Sequence, residues 1–332
     1  MTVREFDVSW LSVLGFLMVL PLVGVGPDWL RLFGLCFLFA VLPLLRSDDD
    51  HGMEPADTGT NARFLVSQLL FGLTPWGFAT SIAQLFGQFV PLARYRGRLP
   101  TPESTDQTVA LRPPFDGEWT VVNGGVTKAT SHSWELLAQR YAYDFLITDD
   151  RGRTHSADGI WLDDYYAFGE PVLAPAGGTV VAAKDGLRDH PNPGTGWTEW
   201  RTWDIRGNHV VVDHGGEYSL LAHLQEGSVV VEPGDRVDVG QQVGRCGNSG
   251  NSTEPHLHYQ LQDTPAFFTA MGLPPAFSGV EVRDDASAED PTTDGRRERR
   301  RWAYLRRGQR VRYVTDEDES DGRVDDASPR VR

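Results

Sequence analysis

Lysine is almost missing from this 332-residue chain. Lys128 and Lys184 are the only two among its 31 basic residues, and the remainder are arginine. Basic residues are also the minority sign, outnumbered by 46 acids for a formal net charge of −15. A general nucleic-acid binder needs a basic footprint, so that class is excluded. Cysteine is scarce as well. Cys36 and Cys246 fall in different regions, which leaves no disulfide framework and no cysteine-based zinc site. No stretch repeats at a period of about 20–50 residues, which argues against solenoids and propellers. What is present is a 40% hydrophobic and 11% aromatic complement. That is enough to build cores in about two domains at roughly 100–200 residues each.

The apolar residues are unevenly spread. From Val8 to Leu45 the chain is nearly all apolar, interrupted by Gly26-Pro27-Asp28 and Arg31. Two helices fit, about 9–25 and 29–45, each near the length that crosses a hydrocarbon core of roughly 30 Å. A second apolar helix directly after the first favours a retained anchor over a cleaved signal peptide. A charge-free run from Phe64 to Ala93 carries Pro75 and Gly77 in its middle, together with Gln68, Gln84 and Gln88. Two readings stand for its core, 64–91: a third, kinked span, or an amphipathic helix on a lipid surface. Residues 1–95 thus read as a multi-pass membrane region, and proline-punctuated residues 96–112 as a linker. The arginines around these runs leave the membrane orientation open. An acidic, lysine-poor surface resembles that of proteins from salt-loving archaea, a halophilic reading of composition alone.

From 113 onward the chain reads as strands. Short β-branched runs at Val172–Ala174, Thr179–Ala183, His209–Asp213, Tyr218–His223, Val229–Val231 and Gln242–Arg245 are separated by glycine-rich turns. Spacing of about 8–12 residues predicts a mostly β, antiparallel domain over 113–314. Two long loops interrupt it, 149–170 and 186–207, the second with Trp197, Trp200 and Trp203 as a wall or local core. Residues 284–294 form an acidic loop, Trp302–Val314 a last strand whose arginines face the acidic body, and 315–332 a disordered tail.

The tightest histidine pair is His256 and His258 in Pro-His-Leu-His-Tyr-Gln-Leu. On a strand, residues two apart share a face, so both imidazoles enter one space. A pair of this kind suits a metal ion, one ring as ligand and the other acting on bound water or substrate. A glycine-rich turn, Gly247-Asn248-Ser249-Gly250-Asn251-Ser252, runs into it. His223 ends an apolar strand, and Asp144 lies in the aromatic run Tyr141-Ala142-Tyr143-Asp144-Phe145. A carboxylate buried there is costly unless paired or metal-bound. The bland alternative is an ion pair with Arg140.

Several ordered elements resemble the lysostaphin-like zinc metalloendopeptidases. They are Tyr141-Ala142-Tyr143-Asp144-Phe145; Phe168-Gly169-Glu170-Pro171 running to Val180; Gly207-Asn208-His209 running to Gly215; Leu221-Ala222-His223-Leu224; and Gly247 through His258. The resemblance covers roughly 113–314 and implies an antiparallel metallopeptidase sheet with a duplicated-hybrid-motif-like core. It implies Zn²⁺ held by Asp144 and His258, with His223 and His256 acting on water and substrate as the catalytic pair. It also implies a groove lined by Asn208 and the tryptophans 197, 200 and 203. The family's usual first histidine, four residues before the aspartate, is Arg140 here. His132 is therefore read as the third ligand; a degenerate site with two ligands is the competing reading. The implied activity is hydrolysis of cell-envelope peptide bonds on the outer side of the membrane. The alternative is a catalytically dead binding or regulatory module on the same anchor.

Overall fold

The computed structural model describes residues 58–284 and 297–314. The chain divides into two compact units, Met1–Leu65 and Val66–Arg332. The expected spans 9–25 and 29–45, the acidic loop past Asp284 and the tail 315–332 lie outside the described residues.

The charge-free run folds as helices α1 (Thr58–Leu73), α2 (Pro75–Gly87) and α3 (Phe89–Arg94). Pro75 has no N–H to continue α1, and it opens α2 at a position where that loss costs nothing. Thr74 caps the new helix, its Oγ1 accepting from Gly77 N at 2.9 Å. A Cβ on Gly77 would lie 1.9 Å from Phe71 O, so the turn requires glycine there. The result is a bend of 92° between Gly59–Leu73 and Pro75–Arg94. Among the described residues no single helix is long and apolar enough to cross a membrane; the bent pair passes that test only when taken together. α2 is seated by α3's neighbour Gln88, whose Oε1 accepts from Leu137 N at 3.0 Å. Trp76, Phe86 and Phe89 remain exposed.

Thirteen strands follow among the described residues: β1 (Glu118–Asn123), β2 (Tyr143–Leu146), β3 (Pro171–Leu173), β4 (Gly178–Lys184), β5 (Asn208–Asp213), β6 (Tyr218–Leu224), β7 (Arg236–Val237), β8 (Gln242–Arg245), β9 (Leu257–Gln262), β10 (Gly272–Leu273), β11 (Phe277–Asp284), β12 (Arg297–Ala303) and β13 (Gln309–Tyr313). Eleven form one antiparallel sheet in the order β12-β11-β13-β1-β2-β9-β6-β5-β4-β7, with β10 added to β9. β3 and β8 pair separately. The mostly β, antiparallel expectation is met.

Period-two alternation divides the central strands. Tyr143 and Phe145 of β2, Leu221 of β6, and Leu257, Tyr259 and Leu261 of β9 enter the main core with Trp119 and Phe277. The opposite face of the same strands carries Asp144, Ala222, His258, Gln260 and Gln262. Two expectations need correction. Val229–Val231 is not a strand, although it is β-branched; it runs past β8 with one ladder-like bond, Val230 N to Val243 O at 3.1 Å. The last strand expected at Trp302–Val314 is instead the end of β12 and the whole of β13, two strands that flank β11 on either side and each pair with it antiparallel. The arginines here do meet acids, Arg312 with Glu281 at 3.2 Å and Arg306 with Asp284 at 3.1 Å.

Candidate functional site

Register alone brings the central residues together. Asp144 on β2 lies directly opposite His258 on β9, and Ala222 on β6 lies opposite His258 from the other side. His258 Nδ1 sits 2.8 Å from Asp144 Oδ1. His132, brought in by the loop before β2, places Nε2 3.4 Å from Asp144 Oδ2. His256 Nε2 lies 3.8 Å from Oδ1, and Asn123 Nδ2 donates to Oδ2 at 3.2 Å. One buried carboxylate thus meets three imidazoles. Burial by itself would raise the Asp144 pKa. The charge of His132, the bond from His258 and the charges of His256 and His258 outweigh it and hold the carboxyl well below its usual range. Burial likewise pulls His258 down, but its bonds to Asp144 and Gln260 and the Asp144 charge leave it raised.

His223 reaches this face by breaking the pleat. Ala222 shares the face of His258, so an unbroken strand would turn His223 into the main core. Its φ of +61° re-aims the ring, which then stands 4.8 Å from the His256 ring and 5.8 Å from the His258 ring, centroid to centroid. Leu224 returns to the main core, out of phase with Leu221. A left-handed non-glycine residue stores strain of about 1–3 kcal/mol, and such strain concentrates at functional sites. Carbonyl partners fix the ring tautomers, since a carbonyl only accepts. His223 Nδ1 donates to Ser249 O at 2.8 Å and His256 Nδ1 to Glu254 O at 2.8 Å. Each therefore keeps Nε2 as its free nitrogen when neutral. Burial first, then the charges of His256 and His258, pushes His223 well below the usual histidine range.

The groove residues fare differently. Asn208 is fully buried and spends its side chain on Leu187 N, Leu187 O and Leu224 O. It ties a loop to two strands and has no face left for a groove, which corrects the expectation. Trp197 and Trp200 are half-buried, while Trp203 is exposed under Lys184, whose Nζ stands 4.4 Å from the ring centroid. Arg140 does not pair with Asp144. Its Nε donates to Trp134 O at 3.0 Å and its guanidinium covers the Trp134 ring. Asp189 was missed in the sequence: it accepts from Asn248 N at 2.7 Å and Glu226 N at 3.0 Å, bracing the glycine turn. Gln260 and Gln262, also missed, continue the face of His258; the alternation His-Leu-His-Tyr-Gln-Leu-Gln was the signal.

His209 lies apart from this cluster. Burial, with the Arg206 charge next, pushes its imidazole down to about 4. The unfolded chain takes up this proton near 6.5, so the folded state is penalised as pH falls from about 6.5 through 4. The penalty is on the order of 3–4 kcal/mol once pH is below 4, at about 1.4 kcal/mol per pKa unit. His209→Asn should therefore lose less melting temperature than wild type between pH 7.5 and 4.5. Equal losses would show that His209 does not drive the acid sensitivity.

With this geometry in hand, the chain can be set beside known proteins. Residues 159–267 match the model of Peptidase family M23. The match encloses His223, His256 and His258 and begins after His132 and Asp144. Peptidoglycan DD-endopeptidase ShyA of Vibrio cholerae serotype O1 is 36% identical over 94 residues, 28% of this chain and 18% of that protein. Glycyl-glycine endopeptidase ALE-1 of Staphylococcus capitis is 35% identical over 99 residues, 30% of this chain and 23% of that protein. The chain thus spans about a fifth of the length of these relatives. The catalytic domain of lysostaphin from Staphylococcus simulans aligns over 47% of this chain and 88% of its own, at 21% identity and a TM-score of 0.27. The two curated relatives are named as endopeptidases. They are bacterial, and neither lends support to an archaeal origin or to a membrane anchor.

M23 metalloproteases raise the question of whether the cluster suits a metal ion. Among the described residues no group of three or more His, Cys, Asp or Glu is arranged so that it could hold a metal ion as it stands. The reason lies in Asp144, which meets His132 through Oδ2 and His258 through Oδ1. The donor set nevertheless fits in kind, two imidazoles and a carboxylate, as in catalytic zinc sites with three protein ligands.

Proposed function

We propose that this chain is a zinc-dependent endopeptidase acting on peptide cross-links of a cell envelope. The observation that carries the reading is the convergence of His132, His256 and His258 on the buried carboxylate of Asp144. In this reading His132, Asp144 and His258 hold the ion. When bound, Zn²⁺ supplies a Lewis acid that brings the pKa of a coordinated water to about 7.

The chain's own groups do the rest. His223 and His256 are held by carbonyls through Nδ1, so each offers a bare Nε2 when neutral. One such nitrogen takes a proton from the attacking water and later delivers it to the leaving amine; the other, protonated throughout, hydrogen-bonds the oxygen of the amide under attack. Ser249 O and Glu254 O keep both rings from rotating. The names of the relatives, a peptidoglycan DD-endopeptidase and a glycyl-glycine endopeptidase, favour short cross-bridge peptides as substrate. The exposed Trp76, Phe86 and Phe89, with Arg94, Arg96 and Arg98 just beyond, favour a membrane surface as the setting.

The test uses the full-length protein and its His132→Ala variant, with zinc content and hydrolysis of a glycine-containing cross-bridge peptide as readouts. Expected are stoichiometric zinc and turnover in the wild type, recovery of the protein with membranes, and loss of both zinc and turnover in the variant. Zinc and turnover retained by His132→Ala would remove His132 from the ligand set. A wild type without zinc would replace the hydrolase by the alternative, a binding module.

A further inference from the structure

The face of β9 that carries His258 continues into Gln260 and Gln262, both fully buried. Buried amides persist only when their polar atoms are paired, and here the pairing has a direction. Gln262 Nε2 donates to the carbonyl of Thr264 at 2.6 Å, which turns its Oε1 toward Gln260. Gln260 Nε2 donates to that oxygen at 2.6 Å and to the carbonyl of Ala138 at 3.1 Å. Both acceptors are oxygens, and one is a backbone carbonyl that cannot donate, so the Gln260 amide cannot be flipped without losing a bond. Its Oε1 is therefore the atom 3.1 Å from His258 Nε2.

An amide oxygen only accepts. His258 Nε2 must then carry hydrogen, and the neutral ring has only one. Nδ1 is then the nitrogen that meets Asp144 Oδ1 at 2.8 Å, donating a proton to it in the imidazolium and offering it only a lone pair in the neutral ring. Two lone pairs at that distance repel unless a positive charge lies between them. The relay Thr264–Gln262–Gln260 thus selects which imidazole nitrogen is presented beside Asp144. Outer partners of this kind fix the tautomer and orientation of metal-binding histidines and are typically worth 10–100-fold in affinity.

Building on the zinc reading above, we propose that Gln260, anchored by Gln262 and Ala138 O, is a positioning residue. It holds His258 in the Nε2-protonated form and so makes Nδ1, paired with Asp144 Oδ1, the atom offered to the divalent cation. Ala138 O belongs to the short turn before β2, and this bond therefore also ties the histidine's orientation to the segment that delivers His132.

Three full-length proteins decide it: wild type, Gln260→Leu and Gln260→Glu. Zinc affinity is read by competition with a chromophoric chelator, and the His258 ring nitrogens by ¹⁵N NMR of the zinc-loaded protein. Gln260→Leu, close in volume but with no acceptor, should bind zinc about 10–100-fold more weakly. Gln260→Glu, carried as the neutral acid, keeps an acceptor for the Nε2 hydrogen and one donor toward Gln262 Oε1 or Ala138 O, and should recover to within about threefold of wild type. In the wild type the spectrum should show a protonated Nε2 and a metal-shifted Nδ1. Wild-type affinity in Gln260→Leu, or a spectrum with Nε2 on the metal, would overturn the proposal while leaving the zinc site standing. No recovery in Gln260→Glu, with both variants equally weak, would reduce Gln260 to packing and also overturn it. A wild type that takes up no zinc would instead fail the parent reading, a result separate from these.

Discussion

Asp144→Asn should remove metal binding and hydrolysis together while leaving the fold intact. The substitution is nearly isosteric, and the amide can still sit against Asn123 and between β1 and β9, so packing is kept. What disappears is the charge that three imidazoles surround. An amide oxygen is a far poorer donor to a divalent ion than a carboxylate. The amide nitrogen, if turned inward, would place hydrogens where the ion belongs. The loss in zinc affinity should exceed the 10–100-fold typical of an outer partner, and peptide hydrolysis should fall to background. Zinc stoichiometry, far-UV circular dichroism and turnover measured on one preparation check it. Wild-type zinc content in Asp144→Asn would mean that the ion sits elsewhere.

The second large effect is expected where the glycine turn crosses the β5–β6 region. Gly250 has φ +77°, and a Cβ there would lie 2.3 Å from Gly207 N, 2.6 Å from Ile205 O and 2.7 Å from Gly207 Cα. All three are backbone atoms and cannot swing aside. Gly250→Ala must therefore pay left-handed strain of about 1–2 kcal/mol and also separate two backbone segments, which typically costs about 1–3 kcal/mol. Together these reach about 2–5 kcal/mol, a large share of the 5–15 kcal/mol that holds a domain together. The same displacement shifts Ser249, whose carbonyl orients His223 and whose hydroxyl receives Asn208 N and donates to Leu224 O. Chemical denaturation should show the loss of stability, and whatever protein folds should turn over slowly. A variant within about 1 kcal/mol of wild type at full turnover would refute the tight crossing.

The residues that meet at Asp144 were legible because their signals are local. An acid in an aromatic strand is too costly to leave unpaired, and His-Leu-His has the period that puts both rings on one face. The strands flanked by double glycines were legible for the same reason. Val229–Val231 misled because β-branching favours extended backbone but does not provide a neighbouring strand to bond with. The arginine-rich end was read as one strand because its turn, Arg306-Arg307-Gly308, is charged and carries a single glycine. Asn208 looked like a groove residue; only the tertiary fold reveals that Leu187 and Leu224 consume its polar atoms. The alternation from His256 to Gln262 puts Gln260 and Gln262 on the face of His258, but they carry no charge and no metal chemistry, so the sequence does not show what their amides bond. Their direction comes from the carbonyls of Ala138 and Thr264, one of them more than a hundred residues away.

The strand order also bears on how the molecule comes into being on the ribosome. Asp144 lies in a strand whose two neighbours are β1 and β9, and 114 residues separate it from His258. β1 in turn receives its outer partner only when β13 has been made. A nascent chain that has emerged through β8 carries Asp144 and His132 but not His256 or His258, and β2 still has an open edge. Pairings this distant in sequence form slowly, because loop closure must precede the contacts that reward it. The centre is therefore assembled only after β9 has emerged, and a nascent chain shorter than that carries one part of it without the other.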